Sequence, residues 1–256
     1  MLKLEMSPWP RLREEVPRSG ARRFGNAGGR EPLTAYRVVD LGELCVGRPT
    51  GMKMIREAIG SRAAVHSAED WWRFERETGL SFPPDVVWMA GRAPEFFIEA
   101  DVDEYPDPGY DPRIERVIVR LPHPGMSRQE LADRSAFYSE GFSPAIDSRG
   151  MVSFIDENDP GGFWKEEPFP FFAYPETPGM VPWGESIGGC YYFFVPVEGG
   201  TRWRLLLSAE DHARWVDMPL LDLLEGLVSQ EFVCPVMDGG WSNASVEFIE
   251  PGTYSI

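Results

Sequence analysis

Residues Met180 to Pro196 read Met-Val-Pro-Trp-Gly-Glu-Ser-Ile-Gly-Gly-Cys-Tyr-Tyr-Phe-Phe-Val-Pro, and the part from Cys190 to Val195 is an unbroken apolar and aromatic run. A run of that length, bounded by turn formers, suits a buried strand. Trp183-Gly184 reads as one turn and Gly188-Gly189 as another, so a central hairpin is expected here, with the core starting from it. Pro182 and Pro196 bracket the segment. Because proline has no N–H to give a ladder, the two are expected to mark where pairing stops.

Around this hairpin, 256 residues with 43% hydrophobic content allow a substantial core. One main domain with an appendage is the favoured organisation. The first thirty residues hold Lys3, Arg11, Arg13, Arg18, Arg22, Arg23 and Arg30 against Glu5, Glu14 and Glu15, whereas the whole chain has a net charge of −16. Residues 1–51 are rich in Pro, Gly and Arg and offer few periodic apolar positions, so they are expected to be a largely disordered basic extension. Leu33 to Leu41 is the one part of it that could add a strand.

The acidic balance argues against a general nucleic-acid binder, which needs surplus Lys and Arg on its contact face, and fits a basic protein partner instead. No apolar run approaches the ~20 residues that cross a bilayer, and the N-terminus lacks a secretory apolar core. A cytoplasmic protein without membrane contact is expected. Cys45, Cys190 and Cys234 have no metal-ligand spacing and read as reduced thiols. Neither metal nor cofactor is implied.

Helix signals are local and clear. Ser67 with Asp70 forms a capping box for a helix to about Thr78, Gly79 suits the left-handed position after it, and Pro83-Pro84 prevents continuation. Asp85 can open a short helix through Met89. Ser127 with Glu130 repeats the box for a helix to about Tyr138. Ile114 to Leu121 alternates as a strand with one buried face, Met151 to Ile155 can form another strand, and Trp203 to Leu207 returns from the hairpin. Asp217 is expected to cap a last helix in which Leu220, Leu221, Leu223, Leu224, Leu227 and Val228 recur at helical spacing. These elements together give an α+β fold, a mixed or mainly antiparallel sheet with helices packed on it.

Acidic side chains collect in two places. Phe96 to Ile98 reads as a short strand leading into Glu99, Asp101, Asp103, Glu104, Asp107 and Asp111, interleaved with Pro106, Pro108 and Gly109. Counted from Asp101, the sixth and twelfth positions are Pro106 and Pro112, so the calcium-loop pattern of Gly and Glu there is not met. This stretch is either a solvated loop or a contact surface for a basic partner. Asp156, Glu157 and Asp159 form the second cluster and the second candidate contact.

Two stretches, taken in order, resemble the SUKH superfamily, the Smi/Knr-like domains. The first is Glu75-Arg76-Glu77-Thr78-Gly79-Leu80-Ser81-Phe82-Pro83-Pro84-Asp85, a helical Glu, a Gly four residues on, and an apolar residue before Pro and Asp. The second is Pro182-Trp183-Gly184 with Gly189 and the strand Tyr191 to Phe194, followed by Trp203 and the Leu-rich helix from Pro219 to Val228. The resemblance covers about Ser67 to Phe232. It implies protein binding without catalysis: bacterial members resemble immunity proteins that neutralise toxins, often nucleases, and fungal members resemble regulatory scaffolds.

A catalytic alternative rests on Gly184-Glu185-Ser186-Ile187-Gly188, which matches the G-x-S-x-G nucleophile elbow. That motif needs a strand before the serine and a helix after it, with a histidine later in the chain. Here an aromatic strand follows, and His212 is the one later histidine, with Asp211 directly beside it. The expected role of these glycines is a hairpin corner.

Overall fold

The helices form where capping chemistry allows. Met54–Gly60 is α1, Ala68–Thr78 α2, Pro84–Ala90 α3, Arg128–Phe142 α4 and Leu220–Val228 α5. At the start of α2 the Ser67 hydroxyl accepts from the Asp70 N–H at 3.2 Å, while the Asp70 carboxylate accepts from the Ser67 N–H at 2.9 Å. Ser127 and Glu130 do the same for α4. Gly79 ends α2 at φ 73°, a left-handed conformation that glycine adopts without strain.

The strands, in chain order, are Arg37–Val39 (β1), Glu95–Val102 (β2), Arg113–Arg120 (β3), Met151–Ile155 (β4), Trp164–Pro168 (β5), Phe172–Ala173 (β6), Gly179–Ser186 (β7), Tyr191–Val197 (β8), Arg202–Ser208 (β9), Ala213–Val216 (β10) and Trp241–Phe248 (β11). This computed structural model describes residues 37–39, 54–102, 113–155, 164–176, 179–197, 202–209, 212–232, 234–237 and 241–249, all within one unit, Thr34–Ile256. Ten strands run in the order β1-β11-β2-β3-β7-β8-β9-β10-β4-β5, and β6 pairs with β7. β4–β10 and β6–β7 are parallel and the other named pairs antiparallel, so the fold is α+β on a mixed, mainly antiparallel sheet. β1 falls inside the Leu33 to Leu41 stretch and pairs with β11, so this part of the 1–51 segment is an edge strand.

Strand β8 is buried on both faces, with Tyr192, Phe193, Phe194 and Val195 each 0–1% exposed. Successive side chains of a strand point to opposite faces. Tyr192 and Phe194 pack with α1, α2, α3 and α5, through residues such as Ile59, Phe74, Met89 and Leu224. Phe193 and Val195 pack with Tyr138 and Phe142 of α4 and with the Phe169–Phe171 stretch. Helix α1 is tied down by Glu225 of α5, whose Oε1 accepts from the Arg56 N–H at 2.6 Å. Burial pushes the Glu225 carboxyl up, and the Arg56, Ile55 and Met54 N–H groups oppose that shift.

Several expectations are corrected. Trp183-Gly184 is no turn, and Pro182 does not end pairing: Pro182 opposes Phe193 and Gly184 opposes Tyr192, leaving Trp183 as the extra residue of a bulge inside β7. A bulge tolerates proline because the ladder is already interrupted there. Trp183, fully buried, stacks on Tyr192 with ring centroids 4.9 Å apart. Gly184 is required by close approach, since a Cβ would stand 2.8 Å from the Ile118 carbonyl oxygen of β3. Pro196 opposes Trp203 within the β8–β9 ladder, which runs on to Val197. Glu99 and Asp101 lie in β2, which extends to Val102 and pairs with β3 along its whole length. Helix α4 runs four residues beyond Tyr138. Asp103, Glu104, Asp107, Asp111, Asp156, Glu157 and Asp159 lie outside the described residues.

The bulge and its stacked ring support the central hairpin. Trp183→Ala is therefore expected to cost about 3–5 kcal/mol in urea unfolding. Ser186→Ala, which removes the acceptor of the weak Gly188 and Cys190 N–H bonds, is expected to cost about 1 kcal/mol in the same measurement.

Candidate functional site

The α2–α3 connection is held from three sides. The Glu75 Oε1 atom accepts from the Ser81 hydroxyl and from the Phe82 N–H, both at 3.3 Å, folding the loop back on its own helix. Tyr174 donates to the Thr78 carbonyl at 2.9 Å. From β9, the Trp203 indole N–H donates to the Ser81 carbonyl at 2.7 Å, and its ring stacks on Phe82 at 5.7 Å and 12°. Phe82 in turn meets Phe194 of β8 edge-on at 6.4 Å.

Across from this loop lies the start of α5. Its N-cap position is Pro219, which has no side-chain hydrogen bond to offer. Asp85 of α3 supplies the missing acceptor, taking the Leu221 N–H at 3.2 Å. Asp217 is therefore not the cap that the sequence suggests. It forms a bidentate pair with Arg204, at 2.7 and 2.8 Å.

Between the two walls is an open cavity of about 980 Å³. Phe82, Phe194 and Leu205 form its apolar base, Pro83, Pro84, Pro219 and Met218 its sides, and Ser81, Arg202, Trp203 and Asp217 its mouth. A second cavity of about 460 Å³ shares Asp217 and Met218 and is lined by Lys165, Glu167 and Trp215. In the second cavity the Arg204 guanidinium stands 4.6 Å from the centre of the Trp215 ring. Aromatic, proline and methionine walls around a few fixed polar groups are the usual make-up of a site that takes an apolar side chain.

The positions quoted for the family resemblance thus act as scaffold. Glu75, Gly79, Pro83 and Asp85 shape one wall, Trp203 anchors it, and Pro182, Trp183, Gly184 and Gly189 build the hairpin underneath. The groove itself was not singled out from sequence, although the Phe82-Pro83-Pro84 run, an aromatic held next to two rigid residues, was a signal for it. Of the expected carboxylate surface, Glu99 and Asp101 lie in β2. Glu99 is engaged by Arg116 across the β2–β3 ladder, and Asp101 opposes Ile114.

At Gly184-Glu185-Ser186-Ile187-Gly188, Ser186 ends β7 and β8 begins five residues later, so the serine lies in a strand–turn–strand corner. Ser186 is buried, and its Oγ accepts from the Gly188 and Cys190 N–H groups at 3.2 and 3.4 Å. Gly189 takes the turn's positive φ of 85°. His212 stands against the Trp164 ring at 4.6 Å. Among the described residues, no group of three or more His, Cys, Asp or Glu is arranged to hold a metal ion, and no helix is long and apolar enough to cross a membrane.

Replacing Asp85 with alanine leaves the start of α5 without its acceptor, so Asp85→Ala is expected to lower stability by about 1 kcal/mol, read as a shift of the urea midpoint with an unchanged slope. No protein-family model, curated protein or solved structure matches this chain.

Proposed function

We propose that this chain is a non-enzymatic, cytoplasmic protein-binding module of SUKH type. In this reading it is an immunity protein that seats an apolar side chain of a basic toxin domain in the groove beside the Phe82–Trp203 stack. One observation carries the reading. The two stretches that resemble the family, far apart in the chain, meet through the Trp203–Ser81 hydrogen bond and form adjoining parts of one cavity. If the family positions served stability alone, nothing would require an open cavity where they join.

Charge supports the same reading on a different scale. A net charge of −16 attracts a basic partner over a Debye length, which raises the association rate, while the groove would supply the desolvated anchor that slows dissociation. Both carboxylates that line the groove are already engaged: Asp217 by Arg204, and Asp85 by the first turn of α5. An aliphatic or aromatic anchor therefore suits the site better than a charged one.

The test is co-expression with the toxin that this reading places in the neighbouring gene. Ser81 and Arg202 are exposed where they line the cavity, so the double variant Ser81→Arg, Arg202→Glu is expected to lower stability by about 1 kcal/mol, the scale of the lost Ser81–Glu75 hydrogen bond, while weakening the complex at least tenfold, about 1.4 kcal/mol. Full protection by the double variant would reject the groove. Absence of both protection and a complex with the unaltered chain would reject the immunity reading.

A further inference from the structure

Two imidazoles meet between the entries of α2 and α4. His66 directly precedes Ser67, the N-cap of α2, and His123 lies four residues before Ser127, the N-cap of α4. Their rings stack with centroids 5.4 Å apart and planes 22° apart. The Gly125 N–H donates to His123 Nδ1 at 3.1 Å. Only a glycine allows this approach, because a Cβ at position 125 would stand 2.7 Å from Cε1 and 2.9 Å from Nδ1.

An imidazole nitrogen that accepts a hydrogen bond carries no proton, so the geometry fixes His123 as the neutral ring with its hydrogen on Nε2. Protonating Nδ1 would set a donor against the Gly125 donor. It would also place a positive charge beside His66 and Arg134, close to the positive end of α4. Glu130, already in the capping box of α4, is the opposing charge on this side, and Asp70 faces His66 from α2.

We propose that the His66–His123 stack is an acid-labile lock that joins the entry of α2 to the entry of α4 and opens when His123 takes up a proton. It stands independently of the binding reading above. Burial, then His66 and Arg134, push His123 from its ordinary 6.5 down to about 4, against the pull of Glu130. Burial also lowers His66, against the pull of Asp70. The unfolded chain takes its proton near 6.5, before the folded chain does. The lock's stabilisation is therefore whole above pH 6.5, is lost progressively as pH falls to about 4, and does not fall further below that. Asp70 and Glu130 are held below the ordinary carboxylate range by their bonds to Ser67 and Ser127, so their contributions are lost at lower pH, as they protonate.

The experiment follows the ring signals of the three histidines by NMR in the full chain from pH 8 to 4, with urea unfolding at pH 7 and pH 5. In the folded chain, His123 is expected to titrate at least about one unit below 6.5. The urea midpoint is expected to fall between the two pH values. His123→Asn, whose Oδ1 can accept the Gly125 N–H but takes no proton, should lose at least about half of that fall. Gly125→Ala should displace the ring and move the His123 midpoint back toward 6.5. A His123 midpoint near 6.5 in the unaltered chain would overturn the proposal, and so would a His123→Asn variant with the full pH dependence. If His123→Asn does not fold, the ring titrations of the unaltered chain and of Gly125→Ala decide the matter.

Discussion

Burial of β8 on both faces is the constraint that the rest of the structure answers. Four consecutive side chains, Tyr192 to Val195, are out of water, and full burial of each of the apolar ones, Phe193, Phe194 and Val195, is worth about 1.5–3 kcal/mol. That gain requires apolar cover above and below. Four helices cover one face and α4 covers the other together with the Phe169–Phe171 stretch, so the sheet becomes the middle layer of three. The bulge at Trp183 belongs to the same solution: the Trp183 ring packs against Tyr192 on the face that also holds Val181 and Phe194, while the extra residue brings Gly184, which has no side chain, opposite Tyr192.

Covering a sheet with short helices leaves helix ends to be satisfied, and contacts distant in sequence do this. Asp85 reaches Leu221 across 136 residues, Glu225 reaches Arg56 across 169, and Trp203 reaches Ser81 across 122. Each of these bonds closes an orphaned backbone group while fixing the relative position of two elements. The groove is a consequence of this pinning. Trp203 holds the α2–α3 loop through Ser81 and Phe82, Asp85 holds the start of α5, and the cavity lies among them, with Leu205 in its lining.

What the sequence revealed was what local chemistry decides. Both capping boxes, the left-handed Gly79, the Gly188-Gly189 corner and the leucine repeat of α5 depend on residues within a few positions of one another. The misreadings have the opposite origin. Asp217 resembles a cap because it precedes the leucines, but Arg204 from the adjacent strand takes it, and the cap comes from α3. Pro182 resembles a stop only if β7 is regular. Glu99 and Asp101 resemble a loop when acidity is weighted above alternation. Yet Phe96, Ile98 and Ala100 are buried at every second position, and Arg116 stands ready to neutralise Glu99. The groove was hidden for the same reason, since its lining comes from four parts of the chain that only the tertiary fold unites.

The proposed binding places a partner at the cavity formed where the two family-like stretches meet. Amide hydrogen exchange of the full chain, alone and in complex with the co-expressed toxin domain, tests it most directly. Added protection is expected at Ser81 to Val86, Arg202 to Leu205 and Asp217 to Leu220, with the rest of the sheet unchanged. Protection confined to other surfaces, with these three segments exchanging as in the free chain, would contradict it.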